Sequence, residues 1–110
     1  MTEKQLKKIR QQIEVEFFNF KTLQLTKTRE EIFNNYYEIR FYNEMFDYLT
    51  DVEMSDEEYS LLRSVAGNYQ SVLRKLYEQF MDMEEVSIES YSEIRIFLNS
   101  VFERAKRGRG

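Results

Sequence analysis

Apolar residues recur every three or four positions along most of this chain and alternate almost nowhere. The cleanest run is Tyr59, Leu62, Ala66, Tyr69, Leu73, Leu76, Phe80 and Met83. Steps of three and four put all eight side chains on one stripe of a helix. The spacing predicts a single long helix over 55–84, with Leu61, Val65 and Val72 widening its stripe. Ser55 followed by Glu58 is a capping-box pattern, and Asp56 and Glu57 suit a helix N-terminus. Gly67 falls inside this helix, where glycine costs up to about 1 kcal/mol relative to alanine. It is read there as a tolerated defect or as room for a neighbouring helix.

Three further segments show the same period. Leu6, Ile9, Ile13, Phe17 and Phe20, followed by Leu23 or Gln24, predict a helix over 3–25. Its second half, from Phe18 to Thr26, also admits an alternating-strand reading, but no partner strand stands elsewhere in the chain. Thr28 and Glu31 form a second capping-box pattern and open a helix over 28–50. That segment holds Phe33, Tyr36, Tyr37, Phe41, Tyr42, Phe46 and Tyr48, too many rings for one narrow seam. A wide apolar face touching two neighbours is expected. The last helix is predicted over 88–106, starting near Ser87 or Ser90, where Ser90 and Glu93 make a third box.

Four helices joined by short connections predict an all-α, antiparallel up-down four-helix bundle with a long third helix. At about 1.5 Å per residue that helix would reach roughly 40 Å and overhang its neighbours. Its far turns, with Leu76, Phe80 and Met83, would then be covered by this chain or by a second copy. A homodimer is one expectation and an intramolecular core the other. Residues 1–104 are read as one domain and 105–110 as a flexible basic tail.

Composition supports this architecture and narrows the chemistry. A chain of 110 residues with 42% hydrophobic residues can bury a single core. It has no proline and three glycines, two of them at Gly108 and Gly110. Cysteine and histidine are absent, which removes disulfides, thiolate nucleophiles, thiolate or imidazole zinc sites and the usual near-neutral proton shuttle. No apolar run is long enough to cross a bilayer, and the N-terminus lacks a signal-peptide pattern. A cytoplasmic protein without membrane association is expected.

Acidic residues gather at Asp51, Glu53, Asp56, Glu57 and Glu58, and again at Asp82, Glu84, Glu85 and Glu89. Carboxylates three or four apart can hold magnesium across two helices. At helix ends, solvation and the helix dipole account for them without an ion. No phosphate-binding loop and no serine beside a base is present. No enzyme, cofactor or metal site is expected.

The net charge is −4, but both ends are basic. Lys4, Lys7, Lys8 and Arg10 stand near the start; Arg104, Lys106, Arg107 and Arg109 stand near the end. In an up-down bundle these eight would share one pole and could contact phosphates, although acids at 51–58 would partly neutralise them. Tyr37 and Tyr48 are expected at the surface, where a partner protein suits them better than a nucleic-acid base. The sequence therefore points to a small helical protein-interaction module, a regulator, inhibitor or assembly factor of the kind phages and mobile elements carry. Its candidate interface is Tyr37, Tyr48, Leu76, Phe80 and Met83. The alternative is an accessory protein that binds nucleic acid through its basic ends.

Overall fold

The computed structural model describes residues 2–67, 71–83 and 86–109, with the backbone alone for Arg109. Within them the chain forms six helices and no strand: α1 (Glu3–Leu25), α2 (Arg29–Asn34), α3 (Tyr36–Asp51), α4 (Asp56–Ala66), α5 (Val72–Asp82) and α6 (Tyr91–Arg109). All-α is the observed class. Six helices rather than four are seen among the described residues, and the expected long third rod is divided into α4 and α5.

The first helix matches its expectation through Leu25, so the alternating-strand reading of 18–26 falls away. It opens on a capping box of Thr2 and Gln5. Ile9, Ile13 and Phe17 are buried, with Leu6 and Phe20 half-buried beside them.

The second segment carries the expected Thr28–Glu31 box, yet it breaks at Asn35 into α2 and α3. The break is slight. The Asn35 N–H donates to both the Glu31 and Ile32 carbonyls, and its own carbonyl accepts from Ile39. Phe41, Tyr42, Met45, Tyr48 and Leu49 are buried on α3, whereas α2 buries nothing. Phe17 stacks on Phe46 at 4.1 Å and Phe20 on Tyr42 at 3.9 Å, so α1 and α3 run antiparallel.

The long third helix is the main correction. The expected rod ends at Gly67, whose φ of +60° and ψ of −151° lie in a region open essentially to glycine alone. Gly67 is thus neither a mid-helix defect nor a site of close approach. It is the residue on which α4 stops. A new helix begins at Val72, and its exposed N–H groups find an acceptor on α1, where Glu16 receives the Leu73 and Arg74 N–H groups at 3.1 and 2.9 Å. Tyr59, Leu62, Ala66, Leu73 and Leu76 from the original stripe are all buried, because both shorter helices face the same core. Tyr69 lies outside the described residues.

The fourth segment starts after Ser90, whose Oγ accepts the Glu93 N–H at 3.2 Å. It continues to Arg109, so residues read from the sequence as a tail extend the helix. Ala105 is half-buried against the core, and Lys106 and Arg107 place cations near the negative end of the helix dipole.

Helix α5 lies centrally, packing against α1, α3, α4 and α6. Helix α6 packs on α3, α4 and α5, and α1 packs on the same three from elsewhere. The first and last helices are not principal neighbours of each other, as a four-helix square would require. Among the described residues, no helix is long and apolar enough to cross a membrane.

Candidate interaction surface

Among the described residues, twenty-two apolar side chains make the core, and no polar or charged residue is buried with them. Against that orderly interior, the segments from the end of α1 to the start of α3 are the reverse. The end of α1, the turn at residues 26–28, α2 and the first turn of α3 expose Phe18, Leu25, Phe33 and Tyr37 at 68, 85, 79 and 76%. Leu23, Ile32 and Tyr36 are exposed around them.

Local chemistry explains why these residues stand where they do. The Thr28–Glu31 box starts α2 immediately after the turn. The six-residue α2 buries none of its side chains, and its main neighbour is α3. The irregular turn at Asn35 lets α3 aim Phe41 and Tyr42 inward while Tyr36 and Tyr37 remain outside. These two rings meet edge to face at 5.7 Å, which holds them as a pair above the surface. Lone exposed apolar residues are ordinary. Several large apolar side chains left open along the consecutive segments from Phe18 to Tyr37 are the kind of surface that another molecule covers.

The sequence-predicted interface divides. Tyr37 is exposed, as expected. Tyr48 is buried instead, its ring 5.3 Å from that of Tyr91 in an edge-to-face contact. Leu76 has no exposed surface at all. Breaking the long rod removed the overhang, so this chain covers Leu76 itself. Phe80 and Met83 are half-buried against the core, with Phe80 packed on Phe41 and Phe97. Tyr37 alone of the five lies open at the surface. The residues that join it, Phe18, Leu25 and Phe33, escaped the sequence reading, which took one apolar stripe per helix. A second heptad series on α1, running Gln11, Val15, Phe18, Thr22 and Leu25, is the signal that would have found the first two.

The basic residues also separate. Lys4 and Lys8 line a hollow with Gln5, Gln12 and Arg63, and no acid is among the described residues that line it. Lys7 and Arg10 border an open hollow along α1 together with Glu3 and Glu14. Arg10 is turned inward: its guanidinium donates to the Tyr59 hydroxyl at 3.1 Å, and that bond raises its pKa above the ordinary arginine value. Arg104 and Arg107 line a third hollow beside Asp82 and Glu103, and Lys106 pairs with Glu57 at 3.7 Å. The two ends thus line different hollows, with acids beside the C-terminal set and beside Lys7 and Arg10.

Among the described residues, no three acids gather closely enough to hold a metal ion. Glu84 and Glu85 of the second acidic cluster lie outside those residues. Elsewhere the charged side chains fasten helices together. Burial alone would raise the Glu58 carboxyl, but the Ser55 N–H and the Arg95 guanidinium outweigh it and hold it below the usual carboxylate range. The Tyr91 hydroxyl donates to Asp51 at 2.7 Å, a bond that pushes its pKa up to about 12.

Comparison with protein-family models, curated proteins and solved structures gave no match in any of the three.

Proposed function

We propose that this chain is a protein-interaction module whose working surface is the exposed apolar surface of α1, α2 and the start of α3. The observation that carries this reading is the exposure of Phe18 and Leu25 on α1, Phe33 on α2 and Tyr37 at the start of α3, in a molecule with an apolar core of its own. Burying an aromatic side chain at an interface contributes about 1.5–3 kcal/mol, and aromatic anchors dominate binding energies. A regulator, inhibitor or assembly factor needs such a surface and no catalytic group. The double variant Phe33→Ser/Tyr37→Ser, compared with the wild type in affinity capture from the native host, tests the reading. Loss of a captured protein from the folded variant supports it. Capture of the same proteins in the same amounts by both would sink it.

A second reading has one observation in its favour. Lys4, Lys8 and Arg63 surround a hollow that suits a phosphate, with no acid among the described residues that line it. Retention of the protein on DNA or RNA at about 50 mM salt, abolished by Lys4→Glu/Lys8→Glu, would favour nucleic-acid binding. Absence of retention at that salt removes this reading.

A further inference from the structure

Helix α1 carries two apolar stripes. The inner one, Ile9, Ile13 and Phe17, packs into the core. The outer one keeps strict steps of four and three through Gln11, Val15, Phe18, Thr22 and Leu25. Val15 is 52% exposed, and Phe18 and Leu25 more so. Thr22 donates its hydroxyl to the Phe18 carbonyl at 2.9 Å, which satisfies its polar atom within the helix. A seam of this spacing is what a second helix covers by knobs-into-holes packing.

We infer that the outer stripe pairs with the same stripe of a second copy, the two α1 helices running antiparallel about a two-fold axis near Val15 and Phe18. This rests on the reading of the exposed apolar surface as an interface and names the partner for Val15 and Phe18 on α1. The charges beside the seam select both the partner and its direction. Glu14 and Lys21 flank the stripe on one side and are seven residues apart; Gln12 and Asn19 flank the other side and carry no charge. In the antiparallel pair, Glu14 faces Lys21 of the second copy and Lys21 faces Glu14, so one helix is complementary to itself twice over. Val15 of each copy then packs on Phe18 of the other. A parallel pair sets Glu14 against Asn19 and Lys21 against Thr26, with no ion pair. An antiparallel pair shifted by one heptad sets Lys21 against Lys21 and is repelled. Charges flanking such seams set orientation and register in this way, and isologous two-fold dimers are the commonest oligomers.

The seam is only about three turns long, so the interface belongs to the small, weak class. Sedimentation equilibrium on the purified protein, from about 10 to 500 µM to span the weak range, reads it directly. A monomer–dimer equilibrium is expected. Glu14→Lys and Lys21→Glu should each raise the dissociation constant about fivefold or more, and the double exchange should return it to near the wild-type value. Phe18→Glu should leave a monomer with unchanged helical circular dichroism, because Phe18 contributes an exposed ring. A monomer throughout the range, a dimer indifferent to Phe18→Glu, or single exchanges without effect overturns the proposal. A monomeric protein that still loses a captured partner on Phe33→Ser/Tyr37→Ser removes self-pairing alone and leaves the interaction reading standing.

Discussion

The Glu16 carboxylate on α1 caps helix α5, accepting the Arg74 backbone N–H at 2.9 Å across a sequence separation of 58 residues. It also accepts the Leu73 N–H at 3.1 Å and the Ser71 hydroxyl at 2.9 Å. Ser71, in the N-cap position, makes no capping bond of its own. The first turn of α5 therefore takes from α1 the acceptor that helices usually find locally, and a full negative charge sits at the positive end of its dipole. Glu16→Ala should destabilise the protein by about 1–2 kcal/mol. Ser71→Ala should cost less. Urea denaturation monitored by circular dichroism compares the two, and an equal or larger loss for Ser71→Ala would contradict this assignment.

Gly67 offers a test in which space and backbone strain make opposite forecasts. A methyl group added there meets nothing within 4 Å. The φ of +60° and ψ of −151° nevertheless exclude an ordinary L-residue. Gly67→Ala should cost about 1–3 kcal/mol through strain alone. A gain in stability would show that α4 can run on through this position, as the heptad spacing predicts.

The exposed aromatics should separate binding from folding. Phe33 and Tyr37 contribute little buried area, so Phe33→Ser/Tyr37→Ser should change unfolding free energy by about 0.5 kcal/mol per site or less. Phe41 is fully buried and touches the rings of Tyr77, Phe80 and Phe97. Phe41→Ala should cost about 3–5 kcal/mol. Denaturant titrations of both variants give the comparison directly.

Stability should fall at both extremes of pH for identifiable reasons. The Glu58 carboxyl titrates below its unfolded value because the bonds from Ser55 and Arg95 outweigh the effect of burial. The stability it contributes is complete above the unfolded carboxylate pKa, about 4.3, and is lost as pH falls through the lower folded value. Glu58→Gln should flatten that acid limb. Burial raises Tyr42 to about 12, against about 10 in the unfolded chain. Its contribution is complete below 10 and disappears as pH rises towards 12. Thermal melts across pH 3–6 and 9–12 measure each limb, and Tyr42→Phe should weaken the alkaline one.

How much of this could be read in advance depended on the range of the interactions. The α1 span, the boxes at Thr28–Glu31 and Ser55–Glu58 and the inward stripes of Ile9, Ile13 and Phe17 follow from spacing and caps within four residues of each other. In the heptad run from Tyr59 to Met83, Tyr59, Leu62, Ala66, Leu73 and Leu76 are core, with Phe80 and Met83 half-buried against it. The run misled about continuity, because two helices that face one core can keep the same beat across a break. The exposed apolar surface was hidden for a related reason. Apolar spacing says that a residue is hydrophobic on a helix face, not whether a neighbour covers that face.

What the sequence determined by itself is helical class, most helix starts and the chemistry that is missing: no cysteine, no histidine, no phosphate loop. Those properties are local or compositional, and a linear reading has all the information it needs. The tertiary structure decided where α4 ends and α5 begins, since the α5 cap comes from Glu16 on another helix. It also decided that Tyr48 and Leu76 are interior while Phe18, Leu25 and Phe33 are not, because burial depends on which helices meet, and only the packed chain brings them together.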